Sequence, residues 1–206
     1  MLQQKNFADP AMLGLAAFVI SQLLLNIPNA HLVPAAATPL FLSTILVSGG
    51  LIQLFCSVFE YFRGNVFSTT TFGIYGSFFI ALGLFVYFEL IGVLKFGPAA
   101  GDALGTFLLI WSIFTLMITV IAFRESTLLG WMFVFVEFAF IGGALHDLIG
   151  LNSAFGGWSG IISAAIGLYI VFLGLWEATA SKSEMQPHTE EIRTAESYQP
   201  PNIPAD

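Results

Sequence analysis

Residues 103–145 read ALGTFLLIWSIFTLMITVIAF-REST-LLGWMFVFVEFAFIGGAL. Two apolar runs, Ala103–Phe123 and Leu128–Leu145, are parted by the charged turn Arg124-Glu125-Ser126. Each run is close to the roughly 20 residues that carry a helix across a bilayer core of about 30 Å. Neither alternates polar with apolar residues as a barrel strand does, so the helix is the reading that satisfies its own backbone in lipid. The pair therefore reads as two antiparallel membrane helices.

The same pattern repeats outward in both directions. Ala11–Pro28, Leu40–Phe62, Val66–Phe88 and Trp158–Trp176 complete six spans. Breaks between them carry turn chemistry: the Pro- and Ala-rich Pro28–Pro39, Arg63-Gly64-Asn65, Gly97-Pro98 and Asn152–Gly157. The chain is 57% hydrophobic and 9% charged, with mean hydropathy +0.86, where a soluble domain has about 25% charged residues. Residues 11–178 are read as one six-helix transport domain, preceded by a segment 1–10 and followed by a tail 179–206. A competing reading takes Met1–Ala37 as a signal peptide, but Lys5 is balanced by Asp9 and the apolar run is long for such a segment.

Charge sets the expected orientation. Between Pro10 and Glu177 the basic residues are Arg63, Lys95 and Arg124. With alternating spans, Lys5, Arg63, Arg124, Lys182 and Arg193 fall on one side and Lys95 on the other, which predicts cytoplasmic termini. The net charge of -7 arises partly from Glu184, Glu190, Glu191, Glu196 and Asp206 in the tail, which is expected to be a disordered cytoplasmic segment. No basic patch suggests nucleic acid, and the lone Cys56 says little about compartment. Zinc-ligand spacing, a phosphate loop and a nucleophile elbow are all missing from the sequence, so neither enzymatic activity, a metal nor a cofactor is expected.

Function then rests on polar groups inside the spans. Phe18, Ser21, Gln22, Leu25 and Asn26 share one face of the first helix. Gly49, Gln53, Ser57 and Glu60 form a stripe on the second, Ser68, Thr71 and Tyr75 on the third, and Trp111, Thr115 and Thr119 on the fourth. Such groups turn inward, either as interhelical hydrogen bonds or as a solute path. Asn26, Gln53 and Tyr75 are candidates for the path. Glu137, mid-span in the fifth helix, is read either as a proton-carrying or pore-lining carboxyl, or as a neutral acid bonded to a neighbouring helix. Glu60 lies beside Arg63, where a local ion pair or interfacial anchor competes with a proton-linked role. His146-Asp147 is read as an interface cap or vestibule group. Gly160, Gly167 and Gly174 make a small-residue stripe for close packing, within a protomer or between protomers.

Asp9-Pro10-Ala11-Met12-Leu13-Gly14-Leu15 resembles the N-P-A-P-L-G-L signature of the acetate uptake transporter family. Further matches follow in order: Leu25-Asn26, Gly50-x-x-Gln53, Glu60-Tyr61, Gly64-Asn65-Val66-Phe67, Tyr75-Gly76-Ser77-Phe78, Trp111 with Phe114-Thr115, and Gly157-Trp158. The resemblance implies six-helix protomers assembled as homohexamers in the plasma membrane, each with its own pore for acetate and related small carboxylates, succinate included. It implies a hydrophobic constriction of Phe18, Tyr75 and Val136, with Asn26, Gln53 and Thr115 along the path; Ser21 and Thr71, from the polar helix faces, are further path candidates. Transport is implied to be channel-like or proton-coupled, with Glu137 and Glu60 the carboxyls available for coupling. Asp9 and Met12 depart from the signature, and Val136 and Glu137 stand where the bacterial permease pattern has Leu and Thr. A pore for ammonia or another small solute, and a non-transporting sensor or assembly protein, are the alternatives.

Overall fold

The computed structural model describes residues 8–196, and every described regular element is helical. The helices are α1 (Ala11–Asn29), α2 (Thr38–Thr44), α3 (Gln53–Arg63), α4 (Val66–Leu90), α5 (Ala100–Glu125), α6 (Thr127–Ile149) and α7 (Ala154–Glu196). A π-helical segment, Ile45–Ile52, joins α2 to α3, and short 3-10 turns at Ala35–Ala37 and Gly97–Ala99 precede α2 and α5. Six segments are long and apolar enough to cross a membrane: Ala11–Asn29, Thr38–Arg63, Val66–Leu90, Gly97–Glu125, Thr127–Ile149 and Ala154–Ala180. The chain is a multi-pass membrane protein.

Helix ends follow local chemistry. Asn65 caps α4 by accepting the Ser68 N–H at 3.1 Å, and Ser126 caps α6 by accepting from Leu129 at 3.1 Å. Gly64 (φ 76°) and Gly150 (φ 71°) end α3 and α6 in the left-handed region that glycine enters without cost to a side chain. Several spans extend beyond the ends read from the sequence. α1 runs one residue past Pro28, the second crossing begins at Thr38, and α7 begins at Ala154. Prolines that look like breaks are tolerated near helix ends, and Pro39 sits in the first turn of α2, where its missing N–H would be unpaired anyway.

Helix α7 runs on to Glu196, into the segment 179–206 that the sequence reading takes as a tail. Residues 1–7 and 197–206 fall outside the described part, so those portions of the expected terminal segments have no structural counterpart here.

Lipid-facing side chains such as Ile110, Ile113, Val120 and Phe62 are exposed. Burying apolar area gives little drive between helices in hydrocarbon, so close packing and interhelical hydrogen bonds must hold the bundle. The π segment shows how. A Cβ at Gly49 would lie 2.7 Å from both Phe79 Cγ and Ser21 Oγ, and one at Gly50 would lie 2.5 Å from Ile80 Cγ1. These two glycines let the second crossing press against α1 and α4, and a π turn is a recurrent device for such local adjustment. Hydrogen bonds then tie α3 to α4 (Ser57 Oγ to the Thr69 carbonyl, 2.7 Å) and α4 to α5 (Tyr75 Oη with Thr115 Oγ1, 2.8 Å).

Residues through Val171 form one compact unit, and the chain from Phe172 onward forms a second. Within the first, Gly160 meets the Asn26 side chain, while Gly167 meets Val19 and lies 3.0 Å, at Cβ, from Met132 Sδ. These two members of the small-residue stripe therefore pack against α1 and α6 of their own chain. In the second unit, the Phe172 and Trp176 rings lie 5.9 Å apart on the continuing helix.

Candidate functional site

A cavity of about 250 Å³ opens where the C-terminal ends of α1 and α6 meet the N-terminal ends of α2 and α7. Its polar wall comes from Gln22, Asn26 and Asn29 of α1, His146 and Asp147 of α6, and Ser153 just before α7. Its apolar wall includes Phe78, Leu82, Leu108 and Phe140. No Lys or Arg lines it. Gly156 and Gly157, in the first turn of α7, complete the lining, so a helix N-terminus with its partial positive charge borders the space.

The wall residues are held by the fold. Asn26 donates Nδ2 to the Gln22 carbonyl at 2.7 Å, a bond to the preceding turn that orients the amide. Ser153 donates to the Asn29 carbonyl at 3.0 Å, and Asn152 accepts from the Ala154 N–H at 2.8 Å. His31, at φ 59°, places Nε2 3.1 Å from Asn152 Oδ1 and so joins the α1–α2 loop to the α6–α7 loop.

An aromatic stack lies beneath. Phe78 and Phe140 meet edge to face at 4.9 Å and floor the cavity. Tyr75 stacks on Phe140 at 6.4 Å and meets Phe18 edge to face at 5.3 Å, with Phe133 at 5.8 Å. Phe18, Tyr75 and Val136 are all buried in this same cluster. The three residues expected at a constriction are thus brought together, and Thr115 is bonded to the Tyr75 hydroxyl at its centre.

The remaining candidates divide. Asn26 lines the cavity. Gln53, Ser21 and Thr71 are buried but outside its lining. Gln53 donates to the Gly49 carbonyl at 2.7 Å and leaves Oε1 unpartnered, as are the hydroxyls of Ser21 and Thr71. Glu137 is buried in α6 and accepts a short hydrogen bond from Ser112 of α5, with its second oxygen unpartnered. That bond joins α6 to α5.

Glu60 lies at the opposite end of the bundle, fully buried, with Arg63 Nη1 at 3.3 Å. Arg63 also makes a forked contact with Asp9, at 2.5 and 3.2 Å. The other signature residues build the start of α1. Pro10 offers its carbonyl to Gly14 N at 3.0 Å, Leu13 is exposed and Leu15 buried. A Cβ on Gly14 would stand 2.6 Å from the Phe72 ring. Asp9 accepts from Ala11 N at 2.8 Å, and the hydrogen bond from Arg63 holds its carboxyl below the ordinary aspartate range. A lowered native pKa adds stability above the unfolded value near 3.9 that disappears as pH falls through the native one. Because both side chains are more than a third exposed, the pair is worth at most about 1 kcal/mol. Asp9→Asn should therefore lower the unfolding midpoint in detergent slightly at pH 7 and by less near pH 3. An equal deficit at both pH values would rule out the ion pair as its origin.

Sequence reasoning did not single out Ser112, Phe133 or Phe140. Ser112 was findable, because it precedes Thr115 and Thr119 at i, i+3 and i+7 on one polar stripe. The two phenylalanines carry no such signal among 22 in the chain.

A model of the GPR1/FUN34/yaaH family matches residues 1–190. The Succinate-acetate/proton symporter SatP of Escherichia coli is 32% identical over 168 residues, covering 80% of this chain and 87% of that protein. Ammonia transport outward protein 3 of Saccharomyces cerevisiae is 27% identical over 188 residues, covering 89% and 68%. The solved structure of the bacterial acetate channel SatP superposes with a TM-score of 0.78 at 27% identity, over 84% of this chain and 95% of that one.

Proposed function

The chain belongs to the GPR1/FUN34/yaaH family, and from that membership we propose that it conducts acetate and related small carboxylates, succinate among them, across the plasma membrane. The family's named relatives here are a symporter, an outward transporter and a channel, so the protein is a transporter rather than an enzyme. The observation that carries the substrate reading is the cavity: neutral amides and a helix N-terminus on one wall, and an aromatic floor beneath. Amide N–H groups and the helix end attract a carboxylate without an ion pair, and weak attraction suits passage better than capture.

In this reading Phe18, Tyr75 and Val136 form the constriction, and Thr115 positions the Tyr75 ring through its hydroxyl. Asn26 belongs to the entry wall, while Gln53, Ser21 and Thr71 serve the continuation of the path on the other side of the stack. The excess of basic residues on one side supports cytoplasmic termini, with the cavity mouth outside. Each protomer carries its own path, and a homohexamer covers part of the exposed apolar surface.

Labelled acetate uptake into proteoliposomes, with and without an imposed pH gradient, tests this. Uptake above protein-free vesicles supports transport, and acceleration by the gradient supports coupling. Flat uptake under both conditions rejects the reading. Coupling is assigned to Glu137, the buried acid that meets α5 through Ser112. Glu137→Gln keeps the shape and removes the exchangeable proton, so it should cut the acceleration by an imposed gradient several-fold. An unchanged pH profile would sink that assignment.

A second reading is a conduit for ammonia or another small neutral solute. A lining without Lys or Arg and the yeast relative's name favour it. It predicts flux that neither acetate nor succinate inhibits.

A further inference from the structure

We propose that His146 is a proton-handing anion receptor at the cavity mouth: its imidazolium draws in the solute carboxylate and releases it toward the aromatic stack as the neutral acid. This deepens the carboxylate-transport reading and rests on it. His146 is exposed, yet it lines the cavity together with Gln22 and Asn26. Its Nδ1 lies 2.6 Å from the Leu151 carbonyl oxygen. A carbonyl can only accept, so Nδ1 keeps its hydrogen and Nε2 is the nitrogen left for a solute. In the neutral ring Nε2 is an acceptor and offers a carboxylate nothing. In the protonated ring it is a charged donor.

The surroundings make that switch count. The cavity residues contributed by α1, α2, α4, α5 and α7 include no titratable side chain. Asp147, next to His146 on α6, is the other ionisable residue in the lining. His31 stands across the neighbouring loop on Asn152, and Asp102 in the first turn of α5 lies outside the lining. An imidazolium at His146 is then the cation of the cavity, where no lysine or arginine supplies one.

The floor supplies the reason for a proton transfer. Beyond Phe78 and Phe140 the path enters a packed aromatic cluster, where a bare carboxylate is strongly disfavoured and a neutral acid is not. The Nε2–H bond breaks, its electron pair stays on nitrogen, and an O–H bond forms on the solute. Neutral imidazole and neutral carboxylic acid result. The ring regains its proton from water at the mouth. Glu137 lies nine residues earlier on α6, about 13 Å along the helix axis, so the two groups act at different depths.

The test needs an anion that stays ionised throughout. Methanesulfonate meets that requirement, so its own charge is the same at both pH values, and the variants separate the protein's part from that of acetate. Acetate uptake into proteoliposomes, corrected for protein-free vesicles, is measured against rising methanesulfonate at pH 5.5 and 7.5 on both faces. For the wild type, inhibition should strengthen about tenfold at the lower pH. His146→Gln should abolish that change, while Asp147→Asn should retain it. His146→Lys, a fixed cation, should give strong inhibition at both values with slowed acetate uptake. Wild-type-like pH dependence in His146→Gln overturns the proposal and leaves transport standing. No acetate uptake by the wild type overturns both.

Discussion

Acetate flux through Tyr75→Ala should rise about tenfold per folded protein, a barrier change of about 1.4 kcal/mol, and the variant should admit larger carboxylates. Tyr75 is fully buried, with ring neighbours Phe18, Phe133, Phe114 and Phe140 between 5.3 and 6.4 Å. Removing one ring from such a stack opens a gap that the others fill only in part, because packed interiors relax incompletely. A hydrophobic constriction resists passage by excluding water, so widening it lowers the barrier most for a solute that keeps part of its hydration.

Two effects oppose each other in that variant. Truncating a large buried aromatic costs about 3–5 kcal/mol of stability in cores, and the Thr115 hydroxyl loses its partner. Flux must therefore be normalised to folded protein. Tyr75→Phe separates the causes. It keeps the ring and removes the 2.8 Å bond to Thr115, so it should lose stability by about 1–3 kcal/mol while leaving size selectivity alone. Flux and selectivity in Tyr75→Ala equal to wild type, at equal folded protein, would remove Tyr75 from the constriction.

What the sequence made legible follows from how lipid constrains a chain. A bilayer demands long apolar helices, so Ala103–Phe123 and Leu128–Leu145 announced themselves and reappear inside α5 and α6. Buried polar residues are costly there, so Asn26, Gln53, Thr115 and Glu137 stood out, and all four are buried. Placement along a path was harder to read. Asn26 reaches the cavity while Gln53 does not, because the second crossing meets the cavity at Thr38, far from Gln53 along the helix axis. No periodicity argument at 3.6 residues per turn anticipates that. Among many phenylalanines, those that floor the cavity are chosen by tertiary contact, and Phe140 was invisible for that reason.

Gly157→Ala should be the most damaging of the small substitutions, because the added methyl has nowhere to go. A Cβ at Gly157 would stand against the Ala30 amide nitrogen, 2.5 Å from Asn29 C and 2.7 Å from Ala30 Cα. Those are backbone atoms at the end of α1, so no rotamer change relieves the clash. At Gly167 the opposing atoms belong to the Val19 and Met132 side chains, and a methionine can swing aside. At Gly160 the obstacle is the Asn26 amide, so the chain should fold with that cavity-lining side chain displaced. Overpacking usually costs 1–3 kcal/mol, and a backbone clash belongs at the upper end or beyond; about 3 kcal/mol corresponds to a midpoint lower by about 6–12 °C. Heating each variant in detergent and following the monodisperse fraction ranks them. The expected order of loss is Gly157→Ala, then Gly160→Ala, then Gly167→Ala, with acetate uptake falling further than stability at Gly160 alone. A Gly157→Ala protein that melts with the wild type would rule out this backbone contact between α7 and the end of α1.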